Sequence, residues 1–404
     1  MSKTAGESEI AEICSNLTAA GYSIKFRAFS AIDLYLRFSG MPFQRIETSA
    51  DIAVLARYIE NLRFPGVEVA DGAADTLDGA FYFRCLDPND PDHHVRQQSS
   101  FPLLSLAYDW QSRRFQDPLG VYPMLRTLWE KKEYFPDDAW IGGPLFKTRD
   151  RRWRVIMDAA LLLARYGKNA VPEGFNGVSE ASQADPGPET QRAFLICLLV
   201  SPRPELGLKL LKGSGFLDEF WPELARFDDV DQSKEFHPEG NVWNHTLETF
   251  RYRKELSSGA YDLRLSLGLL LHDIGKPISA SFGSRRFDGH AELGAKAAAR
   301  FLERLEFEPS IIEDIFFLVK NHMLPAALKR LPLTKTSGIM ASPLFPTLME
   351  LYRCDESSSF KGLDCYHENS AAYQAYLKNL RNPYRCADGK KMGRREMYSG
   401  NLKG

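Results

Sequence analysis

The sequence lacks the features of a membrane protein or a disulfide-stabilised protein. Its longest apolar run, Ala193 to Val200, is far shorter than the ~18 residues that a bilayer-spanning helix needs. The first twenty residues contain three glutamates and no continuous apolar segment after a basic start, which is not typical of a secretory signal. The six cysteines form no CxxC pair, which argues against a disulfide framework or a thiolate zinc site. We therefore expect a cytoplasmic protein with reduced thiols and no membrane partner.

The sequence also lacks a strong net charge. With 51 basic and 53 acidic residues, the formal charge is -2, so no overall field attracts nucleic acid or anionic lipid. Locally, residues 378–404 contain eight basic and two acidic residues, and the run KTRDRRWR at 147–154 mixes basic residues with an aromatic one. Such segments are typical of RNA contacts, but they are equally typical of a solvated helix face and a disordered tail. Both interpretations stay open.

The chain length and the distribution of turn-forming residues indicate several domains. At 404 residues with 44% apolar residues, the chain is long enough for two or three globular domains. Residues 169–190 mix Pro, Gly, Ser and Asn without apolar periodicity, which predicts a linker. Short apolar runs alternate with helical patterns before this segment, whereas helical patterns dominate after it. We predict an α+β N-terminal part with a mixed sheet, followed by an all-α part.

Histidines concentrate in the predicted all-α part, because five of the eight lie between residues 237 and 322. His322 follows Ile315, Leu318 and Val319 with the spacing of one helix face, so its imidazole is predicted to face the apolar interior. His272 and His245 also fall on the apolar faces of predicted helices. Ser310 and Glu313 form a capping-box pattern, which predicts the start of the helix before His322.

Inward histidines become informative when a carboxylate accompanies them. A single inward histidine is more often an ordinary core residue than a metal ligand. Asp355 also lies on an inward face, however, and burying an ionised carboxylate costs several kcal/mol unless it is paired or bound to a cation. These faces carry no Lys or Arg to pair with it. The pattern predicts one or two divalent cations of Mn, Fe, Co, Ni, Zn or Mg, because ligand type alone does not identify the metal.

Five motifs occur in an order that resembles a known family. They are HPEGNVWNHTL, LLLHDIGKP, FDGHAELGA, LVKNHMLP and LMELYRCD, between residues 237 and 355. Together they resemble the HD superfamily of metal-dependent phosphohydrolases, and most of all the HD domain of bacterial tRNA nucleotidyltransferases and poly(A) polymerase-like proteins. The resemblance implies two metal sites that share Asp273. The first would consist of His245, His272, Asp273 and Asp355, and the second of Asp273, His290 and His322.

Three basic side chains near these motifs are candidates for the chemistry. We assign catalysis to Asp273 and Lys276, since a lysine beside the metal ligands can neutralise developing phosphate charge. A lysine just after a helix C-terminus is equally well explained by the helix dipole. Arg285 and Arg286 precede His290 and are candidates for gripping a substrate phosphate, although a solvated loop explains them as well.

The N-terminal part resembles the head of the same nucleotidyltransferases in the segments DLYLRFSGMPFQRIETSA and SFPLLSLAYDWQSRRFQDPLG. The resemblance places Phe43 and Arg45 at the two acidic positions that hold Mg²⁺ in that family, and Ala28-Phe29 at its glycine pair. An aromatic and a cationic side chain cannot bind Mg²⁺. Asp87, Asp90 and Asp92 are predicted to form an exposed turn rather than a replacement site. The resemblance therefore implies a degenerate head.

These observations combine into one organisation. We predict a degenerate nucleotidyltransferase-like head at 1–145, a helical neck at 146–230 with the loop 169–190, an HD domain at 231–365 and a basic tail at 366–404. The main hypothesis is a metal-dependent phosphohydrolase, acting on phosphomonoesters, phosphodiesters or 2′,3′-cyclic phosphates of nucleotides or RNA ends. One alternative is an active tRNA nucleotidyltransferase or poly(A) polymerase; another is a non-enzymatic RNA-binding protein with structural metals. The expected partner is a nucleotide or an RNA such as tRNA, and the sequence leaves the oligomeric state undetermined.

Overall fold

The fold is seen in a computed structural model of the chain. It describes residues 9–38, 43–64, 70–76, 79–86, 101–131, 152–167, 186–230, 240–256, 260–282, 287–359, 362–382, 384 and 390. The chain divides into two compact units. The first comprises residues 1–221 and 254–262, and the second comprises residues 222–253 and 263–404.

The first unit contains a mixed six-stranded sheet and eight helices among its described residues. The strands are β1 (Ile24–Arg27), β2 (Phe43–Thr48), β3 (Gly72–Thr76), β4 (Gly79–Cys85), β5 (Ala107–Asp109) and β6 (Arg114–Gln116). The helices are α1 (Glu9–Ala19), α2 (Phe29–Leu36), α3 (Ile52–Tyr58), α4 (Tyr122–Lys131), α5 (Arg152–Tyr166), α6 (Pro188–Leu199), α7 (Pro204–Gly213) and α8 (Phe216–Phe220). The strand order is β3-β4-β2-β1-β5-β6. Only the β2–β4 pair is parallel among these neighbours.

Alternation along β1 and β2 gives the sheet two different faces. Ile24, Phe26 and Ile46 belong to the buried apolar cluster that includes residues of α1 and α3. Because successive strand side chains point to opposite faces, Arg27 and Glu47 lie on the other face, where Arg27 Nε donates to Glu47 Oε2 at 2.5 Å. One face of the sheet is thus an apolar core, and the other carries charged side chains.

A buried ion pair links α2 to α5 within this unit. Arg165 Nε and the Tyr166 hydroxyl donate to Asp33 Oδ1 at 2.7 and 2.8 Å, and a second Arg165 nitrogen lies 2.7 Å from Asp33 Oδ2. All three residues are at most 6% exposed. A carboxylate buried in this way requires such partners, so Asp33 fixes the position of α2 against α5.

The described residues of the second unit form helices joined by turns and loops, and they contain no strand. Its helices are α9 (Pro222–Ala225), α10 (Val242–Thr249), α11 (Leu263–Leu271), α12 (Lys276–Ser281), α13 (His290–Arg304), α14 (Pro309–Asn321), α15 (Leu333–Met340), α16 (Phe345–Ser357) and α17 (Asp364–Leu380). Helices α13 and α14 pack closely as a pair, and α11 packs against both α14 and α16. The turn after α11 packs against the first turns of α13. A Cβ on Gly275 would lie 2.0 Å from the carbonyl oxygen of His290 and 2.6 Å from the nitrogen of Gly294, so only glycine fits there.

The predicted fold class, a mixed-sheet α+β part followed by an all-α part, is confirmed. The predicted capping box is wrong, because α14 begins at Pro309 and no side chain caps its first turn. A proline at the first helical position has its φ preset and lacks the N–H that a cap would satisfy. Of the predicted linker, residues 169–185 lie outside the described residues, and α6 begins inside its end at Pro188. No described helix is long and apolar enough to cross a bilayer.

Candidate metal centre

Separate elements of the second unit bring six histidine and aspartate side chains together. His245 comes from α10, His272 and Asp273 from the turn after α11, and His290 from the first residue of α13. His322 follows the end of α14, and Asp355 lies in α16. His245, His272, Asp273 and His322 are buried, at 1–2% exposed, whereas the other two are partly exposed. These are the six residues that the sequence analysis assigned as metal ligands.

The first group of ligand atoms surrounds Asp273 Oδ2. His272 Nε2 lies 3.2 Å from this oxygen and His245 Nε2 lies 4.0 Å from it. Potential ligand atoms of these three residues all lie within 4.8 Å of one another. Asp355 adjoins the group, since its Oδ1 lies 2.9 Å from His245 Nε2 and 3.9 Å from His272 Nε2.

The second group surrounds the other oxygen of the same carboxylate. His290 Nε2 lies 3.5 Å and His322 Nε2 lies 3.9 Å from Asp273 Oδ1. These three residues also have potential ligand atoms within 4.8 Å of one another. Asp273 therefore faces both groups, one with each oxygen, which is the arrangement that the resemblance implied.

Hydrogen bonds fix the orientation of all four imidazole rings. Nδ1 of each ring lies at 2.7–2.9 Å from a backbone carbonyl oxygen in His272, His290 and His322, and at 3.3 Å from the Ser358 hydroxyl in His245. A carbonyl oxygen only accepts, so Nδ1 carries the hydrogen in the first three rings. In neutral rings Nε2 then offers a lone pair to the centre, which is how histidine binds a metal.

The facing lone pairs of the imidazole rings would be stabilised by a bound cation. His290 Nε2 and His322 Nε2 lie 3.1 Å apart, and two lone pairs at that distance repel. Buried His272 Nε2 forms no hydrogen bond. Protonating one of the two facing rings, His290 or His322, would turn this contact into an Nε2–H···Nε2 hydrogen bond, but burial lowers the pKa of both rings, which favours their neutral forms at neutral pH. The residues present therefore fit divalent cations, and His and Asp ligands together suit Mn, Fe, Co, Ni or Zn.

The pKa directions agree with ionised carboxylates at Asp273 and Asp355 and with neutral rings at His290 and His322. Burial would raise the pKa of Asp273, but His272 and Lys276 hold it well below its usual range. Burial would also raise the pKa of Asp355, but its interaction with His245, whose Nε2 lies 2.9 Å from Asp355 Oδ1, holds that pKa well below its usual range. Burial lowers the pKa of His322 to about 4 and that of His290 below its ordinary value. At neutral pH these groups are in the protonation states in which they bind metals.

Lys276 contacts a ligand directly. Its Nζ lies 2.7 Å from Asp273 Oδ2, and its backbone N–H donates to the Asp273 carbonyl at 2.9 Å. The lysine is thus at the centre, where the sequence analysis placed it, and a role in catalysis stays a prediction. Arg285 and Arg286 lie outside the described residues, so their predicted contact with phosphate also stays a prediction.

Sequence reasoning missed two residues of the centre. Ser358 holds the ring of His245; its position three residues after Asp355, one helical turn away, was the available signal. Gly275 allows the turn carrying His272 and Asp273 to contact the first turns of α13. The sequence signal for this glycine is its place in the motif LLLHDIGKP, directly after Ile274.

The charged face of the head carries more cations than carboxylates around β2. Arg45 lies where the resemblance predicted a metal-binding acid, and a guanidinium nitrogen lies 3.7 Å from Glu47 Oε1. The same Glu47 carboxylate pairs with Arg27. Burial, with Glu47 opposing it and Arg154 reinforcing it, lowers the pKa of Arg45 to about 10. Within the described residues, the groups of three or more ligands that fit a metal are the two of the second unit.

Several other predicted features lie outside the described residues. These are Asp87, Asp90 and Asp92, residues 147–151 of the basic run, and residues 383, 385–389 and 391–404 of the basic tail.

Comparisons with known proteins support part of the resemblance. Residues 242–348 match the family model of the HD domain. The chain is 33% identical over 220 residues to the CC-adding tRNA nucleotidyltransferase of Thermus thermophilus, covering 52% of this chain and 49% of that protein. It is 29% identical over 247 residues to the A-adding tRNA nucleotidyltransferase of Deinococcus radiodurans, covering 60% and 55%. The chain thus spans about half the length of these curated relatives.

Solved structures include a similar chain in the CCA-adding enzyme of Bacillus stearothermophilus in complex with CTP. The TM-score is 0.47 and the identity is 13%, with 97% of this chain and 90% of that chain covered.

These comparisons correct the predicted function. The main hypothesis, a phosphohydrolase with an inactive head, is wrong, because the curated relatives are nucleotidyltransferases; the alternative of an active tRNA nucleotidyltransferase is better supported. The error has two physical sources. Imidazole and carboxylate ligands indicate where a cation binds but not which reaction it serves. The inactive head was inferred from a few aligned positions, chiefly Phe43 and Arg45, although other residues of a sheet face can contribute charge to a site.

Proposed function

We propose that the chain is an enzyme of the tRNA nucleotidyltransferase type, which uses nucleoside triphosphates to extend the 3′ end of tRNA. The observation that carries this proposal is the 33% identity over 220 residues to a CC-adding tRNA nucleotidyltransferase. The HD-domain match at 242–348 supports it, because the motifs of that domain resemble the type attached to such enzymes.

In the head, we place the triphosphate against the charged face of β1 and β2. Nucleotidyl transfer depends mainly on positioning the phosphates and neutralising their charge. Arg45 supplies a partly exposed guanidinium group on this face, and the partly exposed Arg154 of α5 lies close enough to influence it, whereas Arg27 is buried and paired with Glu47. One arginine guanidinium can donate two parallel hydrogen bonds to a phosphate group. Arg45 and Arg154 are therefore suited to orient the triphosphate.

In the second unit, we propose that the centre around Asp273 holds one or two divalent cations. His245, His272, Asp273 and Asp355 would hold the first, and Asp273, His290 and His322 the second. A cation bound there would polarise a phosphate oxygen and neutralise its charge. The protein's own contribution is to direct four Nε2 atoms at the centre through their Nδ1 hydrogen bonds and to keep Asp273 ionised beside Lys276.

The test is nucleotide incorporation into defined tRNA ends. The full chain is incubated with Mg²⁺ and labelled CTP or ATP, and with tRNA transcripts that end before the terminal CC or directly after it. We expect labelled tRNA lengthened by one to three nucleotides, and the pattern of accepted ends and nucleotides gives the specificity. Arg45→Ala should raise KM for the nucleotide, whereas the exposed Arg57→Ala should not. Failure to incorporate either nucleotide into either transcript would contradict the proposal.

A further inference from the structure

The four imidazoles of the metal centre differ in what holds their Nδ1 atoms. Three rings donate to the backbone carbonyl three residues earlier in their own segment. The pairs are His272 with Leu269, His290 with Phe287, and His322 with Val319. No substitution removes a backbone carbonyl, so these orientations are built into the main chain.

The fourth ring is held by a side chain from another helix. Ser358 Oγ lies 3.3 Å from His245 Nδ1, across 113 positions of sequence. The serine hydroxyl donates its own hydrogen to the Asp355 carbonyl at 2.6 Å. Its oxygen is therefore left to accept from Nδ1–H of His245, which directs Nε2 at Asp355 Oδ1, 2.9 Å away.

The position of Ser358 suits this role. It is 8% exposed and lies at the C-cap of α16, where its backbone N–H bonds to carbonyls of the last helical turn. The Ser358 hydroxyl thus contacts both the ring of His245 in α10 and the backbone carbonyl of Asp355 in α16. Neither link depends on Ser358 touching the cation.

We propose that Ser358 is a positioning residue of the metal centre, which fixes the tautomer and orientation of His245 and ties it to Asp355. This inference rests on the metal centre advanced under the proposed function. Outer partners of metal-binding histidines typically change metal affinity about 10–100-fold when they are lost. Ser358 is a side-chain partner, whereas His272, His290 and His322 bond to backbone carbonyls, so Ser358 is where a substitution can reveal that contribution.

The neighbouring serine is a matched control. The Ser359 hydroxyl also donates to a carbonyl three residues earlier, that of Glu356, at 2.9 Å. Within the described residues it has no hydrogen bond to an imidazole. Ser359→Ala therefore removes the same kind of helix-end hydrogen bond as Ser358→Ala, and leaves His245 untouched.

The experiment is a Co²⁺ titration of the full chain after treatment with a chelator, followed by calorimetry and by the visible absorption of bound Co²⁺. We expect Ser358→Ala to weaken Co²⁺ binding about 10–100-fold and to alter the absorption band. Ser359→Ala should leave both unchanged, and Ser358→Thr, which keeps the hydroxyl, should restore them. Equal losses in the two alanine variants, or none in folded Ser358→Ala, would overturn the proposal. If Ser358→Ala does not fold, Ser358→Cys provides a weaker acceptor of similar size.

A second measurement separates this proposal from the metal centre itself. In the metal-free chain labelled with ¹⁵N-histidine, Ser358→Ala should shift the ring nitrogens of His245 and leave those of His290 in place. An unchanged His245 signal overturns the Ser358 hydrogen bond. A wild-type chain that binds no Co²⁺ overturns the metal centre instead.

Discussion

His290 and His322 face each other through their Nε2 atoms, which lie 3.1 Å apart. Each ring donates its Nδ1 hydrogen to a backbone carbonyl, so the two facing nitrogens are both acceptors while the rings are neutral. Asp273 Oδ1 lies 3.5 Å from one of them and 3.9 Å from the other. A cation among these three atoms relieves the repulsion and explains why three separate chain segments direct acceptors at one point.

His322→Ala should remove the second cation and spare the first. The first ligand group, around Asp273 Oδ2, does not include His322, so it should still bind its cation. Metal analysis of protein loaded with Mn²⁺ should show fewer ions per chain than in the wild type. His367→Ala, which alters an exposed ring on α17, is the control and should leave the count unchanged. A full count in His322→Ala would rule out the second site.

Asp273→Asn should weaken both sites together. One carboxylate oxygen faces each ligand group, and the amide carries no charge to offset the cations. We expect Co²⁺ affinity to fall by more than the roughly 100-fold that outer partners contribute. Calorimetry gives the affinity, and circular dichroism checks that the helices persist. Loss of Co²⁺ binding at one site alone would show that Asp273 does not bridge the two metal sites.

Gly275→Ala should disrupt the turn that carries His272 and Asp273. The new Cβ would lie 2.0 Å from the carbonyl oxygen of His290, and backbone cannot move aside without displacing α13. We expect destabilisation of about 1–3 kcal/mol, as for overpacked sites, together with weaker Co²⁺ binding. Gly338→Ala on α15 meets nothing within 4 Å and should be neutral or stabilising by up to about 1 kcal/mol. Urea unfolding compares the two, and equal stabilities would refute the close packing.

Asp33→Asn should destabilise the first unit strongly. The amide cannot pair with Arg165 as the carboxylate does, and it leaves a guanidinium buried. Breaking a buried ion pair costs about 3–5 kcal/mol. Glu368→Gln breaks the exposed pair with Lys329 and should cost at most about 1 kcal/mol. Thermal and urea unfolding measure both, and similar losses in the two variants would contradict the role given to Asp33.

Helical periodicity in the sequence predicted inward faces for His245, His272, His322 and Asp355, whereas Asp273 and His290 were predicted as ligands only by the family resemblance. His322 is the clearest example, since it continues the buried stripe of Ile315, Leu318 and Val319. The all-α character of this part followed from the same periodicity. The distances between ligands from different helices, and the sharing of Asp273 through its two oxygens, depend on tertiary packing and are visible only in the structure.

Other features could not be predicted from local pattern. The capping box predicted at Ser310 does not form, because the helix already begins at Pro309, and a proline is favoured at the first helical position. The position of Ser358 one helical turn after Asp355 is a local signal, but the contact with His245, 113 positions away in sequence, is not visible in any local pattern. The predicted function was wrong for a related reason. The positions of Phe43 and Arg45 alone do not show which charged side chains the whole face of the sheet presents, and that face depends on tertiary packing.

The most direct test of the metal centre is crystallographic. Crystals of the full chain grown with Mn²⁺ should give an anomalous difference peak between His245, His272 and Asp273, at about 2.0–2.2 Å from the ligand atoms, the distances typical of such nitrogen and oxygen ligands. A second peak is expected beside His290 and His322. An anomalous map with no peak within reach of Asp273 at saturating Mn²⁺ would contradict the account.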